Sequence, residues 1–138
     1  MKKTFGILGL LVVVFLGTWV LAPRFVSAYN LQNIIRWTSL FSIISIGVAF
    51  VIITGGIDLS IGSVIGLVGC LMPLLLVEYD WSLGLTLVAV IGLALGIGLV
   101  HGLLITKVGL QPFVVTLCGL LFYRGLARWI TGDQTQGF

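Results

Sequence analysis

One carboxylate, Asp58, interrupts an otherwise uncharged run from Trp37 to Val77, within Thr54-Gly55-Gly56-Ile57-Asp58-Leu59-Ser60-Ile61-Gly62-Ser63. Apolar flanks of this length belong in lipid. An acid at a helix centre there costs about 2.5–3.5 kcal/mol, so Asp58 must face protein, water or a membrane surface. Two kinds of chemistry are open to it. As a structural group, Asp58 or Ser60 can cap the helix that follows, accepting bonds from its free amides and complementing its dipole, while Gly55 and Gly56 permit the positive torsions that end the helix before. As a working group, a broken helix brings Asp58, Ser60, Ser63 and bare backbone to a substrate path, where an uncharged polyol would meet hydrogen-bonding partners. The residues alone leave both readings open.

Little else in the chain has reactive potential. There is no Gly-x-x-x-x-Gly-Lys-Ser/Thr loop for phosphates, no second carboxylate or histidine close to Asp58, and no zinc-type pair, so neither a catalytic centre nor a cofactor or metal is expected. If ATP drives this protein, another subunit binds it. Cys70 and Cys118 lie inside apolar segments, far from ligand-like spacing with the single His101, and read as small buried hydrophobes. His101 reads as a neutral, hydrogen-bonded or interfacial residue near a segment end, with proton carriage as the alternative.

The elements that must position Asp58 follow from composition. Apolar residues make up 59% and charged residues 8% of the 138, where a soluble domain carries about 25% charged. Mean hydropathy is +1.27. This is the composition of an all-α, polytopic transmembrane bundle. The net charge of +3 is scattered singly except at Lys2-Lys3, which excludes a basic face for nucleic acid.

About 20 apolar residues cross a bilayer core. On that measure the predicted helices are 5–22, 37–54, 59–77, 81–106 and, less securely, 112–130: four spans and a doubtful fifth, broken at the Gly-Gly-x-Asp-x-Ser turn. Lys2-Lys3, the first apolar run and Val26-Ser27-Ala28 mimic a signal peptide, but a run from Phe5 to Ala22 exceeds the usual core of about 7–15 residues and reads as a span. The stretch from Ser27 to Arg36 reads as a polar link. In the second segment Thr38, Ser42, Ser45 and Ala49 fall on one helical face, a surface for packing or for one wall of a polar route. Gly62 with Gly66, Gly92 with Gly96, and Gly98 with Gly102 form small-xxx-small pairs that let helices approach closely.

The fifth segment depends on charge. With the amino terminus inside and five crossings, Lys2, Lys3 and Lys107 are cytoplasmic while Arg24, Arg36, Arg124 and Arg128 lie outside, against the usual bias. A fifth segment that dips and returns would put Arg124 and Arg128 inside and reverse the count.

The decapeptide Thr54 to Ser63 resembles the signature of the permease subunits of bacterial ATP-binding-cassette importers for monosaccharides, the ribose, xylose, arabinose and galactose group. The likeness extends in order and spacing through Asn30-Leu31-Gln32-Asn33-Ile34, the Gly47 region, Gln111-Pro112-Phe113-Val114-Val115-Thr116-Leu117, Arg124-Gly125-Leu126 and Thr131-Gly132, from about Phe25 onward. The resemblance implies a multi-pass permease of the bacterial inner membrane. Such a protein works with a second permease copy, a cytoplasmic ATP-binding subunit and a periplasmic sugar-binding protein. It implies a pathway or gating role for Gly55, Gly56, Asp58, Ser60 and Ser63. Permeases of this kind run well over twice as long, and their second half carries a cytoplasmic coupling segment that nothing here matches. The expectation is therefore a partial, amino-terminal permease domain over 1–138 that does not transport alone. The competing readings are a small membrane-embedded interaction protein and an ion or proton carrier built on Asp58 and His101.

Overall fold

The structure is a computed structural model and describes residues 2–134; the side chains of Lys2 and Lys3, used in the charge count, and residues 135–138 lie outside it. Five helices are long and apolar enough to cross a membrane. They are α1 (Lys2–Leu21), α2 (Ala28–Ile53), α3 (Ile61–Pro73, continued by a wider turn over Leu74–Glu78), α4 (Leu83–Thr106) and α5 (Pro112–Thr131). The chain divides into two compact units, Met1–Gly47 and Val48–Phe138, with α2 running through the boundary.

In the first unit, Pro23 ends α1 and opens a short turn over Pro23–Val26. The Ser27 hydroxyl then accepts the Asn30 amide at 3.4 Å, and the Asn30 side chain donates to the Phe25 carbonyl at 2.6 Å. These bonds start α2 at Ala28 rather than at Trp37, so the stretch read as a polar link is the first turns of a helix. A Ser three residues before an Asn is a helix start as well as a loop composition, and here the cap decides. The Ser42 and Ser45 hydroxyls, exposed on α2, donate to the Thr38 and Phe41 carbonyls at 2.7 Å. Their bonding capacity is thus met inside their own helix, as suits a face toward lipid or another helix.

In the second unit, α3 runs on past Pro73. Proline cannot donate to the preceding turn, and the ladder widens after it, the Tyr79 amide reaching the Leu74 carbonyl at 3.2 Å. A link of Tyr79–Ser82 reverses the chain, and the Ser82 hydroxyl caps α4 by accepting the Leu85 amide. The link Lys107–Gln111 reverses it again, with Pro112 at the first position of α5, where its missing N–H costs nothing. Helices α3 and α5 are therefore parallel, with α4 antiparallel to both. α5 packs chiefly against α3. It is one unbroken helix, long and apolar enough to cross a membrane.

Leu67, Val90, Val115 and Tyr123 form the apolar core of this unit. Large apolar side chains such as Val88, Leu95 and Phe122 stand exposed on its outer faces, the arrangement expected where lipid or other helices replace water.

Candidate functional site

The α2–α3 connection is built by glycine. Gly55 has φ +78°, its amide bonds the Ile52 carbonyl at 2.9 Å, and the Gly56 amide reaches the Val51 carbonyl at 3.0 Å. This pair of bonds around a left-handed residue is the Schellman ending of a helix. A Cβ on Gly56 would meet Val51 Cγ1 at 3.2 Å, so the second glycine is held by tight packing.

Past the glycines the chain has no regular secondary structure over Ile57–Leu59 and is tied down from two sides. The Thr116 hydroxyl on α5 donates to the Ile57 carbonyl at 3.1 Å while also bonding the Pro112 carbonyl. Asp58 Oδ1 accepts the Ser60 amide at 2.8 Å and the Ser60 hydroxyl at 2.6 Å. Asp58 therefore bonds the amide of Ser60, the residue before α3, rather than the helix's own free amides expected of a cap. The Ser60 hydroxyl acts as a donor to Asp58 and caps nothing. The Ser63 hydroxyl donates to the Ser60 carbonyl at 2.6 Å.

One loop oxygen is left over. Asp58 is half-buried, both bonds it accepts fall on Oδ1, and Oδ2 takes none among the described residues. The side chain borders a cavity of about 580 Å³ between the turn and the facing stretches of α3, α4 and α5. Its walls are mostly aliphatic, with Asp58, Ser60, His101 and Thr116 as its main polar groups. Ser60 and Thr116 are 2% exposed and His101 9%, so their contribution is fixed rather than adaptable.

His101 is held by Tyr123, whose hydroxyl lies 3.0 Å from Nε2. Gly119 makes this possible, because a Cβ there would sit 2.7 Å from His101 Cε1 and 3.1 Å from Tyr123 Cε2. Thr116, Gly119 and Tyr123 recur at helical spacing on α5 and, with Val115, form its buried face. The sequence reading passed over Thr116, Gly119 and Tyr123 as site residues, although that spacing was the available signal.

The residues expected to act together divide between two cavities. Gly55, Gly56, Asp58 and Ser60 border the large one, joined by Gly98 and Gly102. Ser63 borders a separate cavity of about 310 Å³ with Gly62, Gly66, Leu120, Arg124 and Ala127. Among the described residues nothing lies within 4 Å of a Cβ placed on Gly62, Gly66, Gly92, Gly96, Gly98 or Gly102. The expected close approach at these positions is not made among the described residues; on α5 it is Gly119 that lies against the His101 side chain of α4. Cys70 and Cys118 are free, and Cys118 is exposed rather than buried.

Comparison with known proteins agrees with this architecture. The chain is 34% identical over 129 residues to the xylose transport system permease protein XylH of Escherichia coli (strain K12), covering 94% of this chain and 33% of that protein. It is 38% identical over 119 residues to the ribose import permease protein RbsC of Haemophilus influenzae, covering 84% of this chain and 36% of that protein. It is 36% identical over 114 residues to the inner membrane ABC transporter permease protein YjfF of Escherichia coli (strain K12), covering 81% and 34%. The chain thus spans about a third of the length of the curated relatives it matches. No solved structure matches it. A family model described as "Branched-chain amino acid transport system / permease component" matches residues 30–138, and the chain belongs to that family of membrane transport permeases.

Proposed function

We propose that this chain is part of the permease of an ATP-driven monosaccharide importer in a bacterial inner membrane, and that the Gly55-Gly56-x-Asp58-x-Ser60 turn lines or gates the sugar route. The family description names branched-chain amino acids, but relatives at 34–38% identity are named for xylose and ribose. The site favours the sugar. An amino-acid route needs fixed partners for an ammonium and a carboxylate, whereas this cavity offers one carboxylate oxygen, hydroxyls and an imidazole, groups suited to a neutral polyol. The supporting observation is Asp58, anchored through Oδ1 with Oδ2 free beside a cavity large enough for a small ligand. Hydrolysis of ATP falls to a separate cytoplasmic subunit. The remaining partners are a second permease copy, a periplasmic sugar-binding protein and the bilayer.

Asp58→Asn tests this reading in a reconstituted importer with the full-length permease. The asparagine carbonyl can accept the same two bonds from Ser60, so the turn is kept and only the charge is lost. The expected result is normal assembly with sugar uptake lowered about tenfold or more, the scale of one charge-assisted hydrogen bond. Unchanged uptake would reduce Asp58 to a structural part of the turn. Proton carriage is a second reading, because Asp58 and His101 border the same cavity. It requires proton-linked uptake in vesicles without ATP, and the importer reading requires none.

A further inference from the structure

Arg124 stands on α5 twelve residues after Pro112 and seven before Thr131. At 1.5 Å per residue these are about 18 and 10 Å from the two ends of a helix that matches a bilayer core. Its side chain is exposed, and among the described residues it forms no ion pair, whereas Arg128 lies 3.6 Å from Asp133. A guanidinium at such depth calls for an anionic partner. The α3–α5 notch beside it supplies the room. Gly62 and Gly66 wall the cavity of about 310 Å³ that Arg124 borders, and both face open space where a side chain would begin.

We propose that this notch receives a transmembrane helix from outside these residues that bears an aspartate or glutamate, paired with Arg124. Depth selects a helix over a lipid phosphate. Side chains on a helix leave the backbone leaning toward its amino terminus, and for Arg124 that is the farther end, so reaching the nearer headgroup layer requires the side chain to turn back against that lean. The two glycines let a neighbouring backbone approach within reach of the fork, which accepts a carboxylate bidentately. The relatives, about three times as long as this chain, have length enough for further helices. The inference rests on membrane insertion alone and stands apart from the identity of any transported solute.

The test uses the full chain in phosphatidylcholine vesicles and a synthetic Leu-Ala helix of about 22 residues with one central Glu, the reference helix carrying Gln. Association is read by fluorescence energy transfer. The Glu helix is expected to bind about tenfold more tightly than the Gln helix, with the preference lost in Arg124→Gln and largely kept in Arg124→Lys. Gly66→Leu leaves the charge in place and fills the notch, so it must weaken binding of the Glu helix if Arg124→Gln fails to fold. Equal binding of the two helices, a preference that survives Arg124→Gln, or its abolition by added phosphatidylglycerol would each overturn the proposal, the last by assigning Arg124 to lipid.

Discussion

Gly119 is the residue on which the α4–α5 contact depends. Replacing its hydrogen with a methyl group places carbon 2.7 Å from the His101 ring and 3.1 Å from Tyr123, so one of the two rings must shift and strain the bond between them. Gly119→Ala is expected to destabilise the chain by about 1–3 kcal/mol, the usual cost of overpacking, read as an earlier unfolding midpoint in mixed micelles. Tyr123→Phe should cost about as much for a different reason, since it leaves His101 Nε2 buried without its partner. A neutral Gly119→Ala would mean that the two helices do not meet there. Asp58 was legible in the sequence because an acid in an apolar run is conspicuous. Gly119 was not, because helical glycines look alike in one dimension. The ones with the most regular spacing, from Gly92 to Gly102, face open space, while the one that touches a neighbour belongs to no such pair.

At the scale of elements, helix ends were less legible than helix interiors. The apolar runs of α1, α4 and α5 were placed to within a few residues by length and by Pro23 and Pro112. The start of α2 was misplaced because Tyr29, Asn30, Gln32 and Asn33 have loop composition, and the hydrogen bonds of Ser27 and Asn30 outweigh it. Ser27→Ala should therefore destabilise that end by about 1 kcal/mol, the worth of a cap, seen as faster amide exchange over the first turn of α2 alone. At the other end of the helix, Gly55→Ala forces a side chain into the left-handed region at φ +78° and should cost about 1–2 kcal/mol. Amide exchange there should accelerate at Gly55 and Gly56, whose N–H groups close the Schellman turn. The wider turn after Pro73 was invisible to hydropathy, which runs evenly across it.

For the whole molecule, counting basic residues could not decide whether α5 crosses, because the two arrangements differ only in where Arg124 and Arg128 fall. Backbone geometry supports a crossing. α5 is continuous, Tyr123 lies beside His101, and the short link Lys107–Gln111 joins the end of α4 to the start of α5, so the two helices run antiparallel. The loop at Asp80 and the end of α5 must then share one membrane face, with Lys107 on the other. This can be read in whole cells with a membrane-impermeant thiol reagent, after Cys70→Ser and Cys118→Ser remove the native thiols. Asp80→Cys and Gln134→Cys should react together, while Lys107→Cys gives the opposite result. A re-entrant fifth segment would instead group Gln134→Cys with Lys107→Cys. The crossing has a further consequence for Arg124. A re-entrant helix would bring its guanidinium near a headgroup layer, where it needs no protein partner, whereas in a crossing helix it stands about 10 Å from the nearer end and an anionic neighbour offsets the cost of the charge.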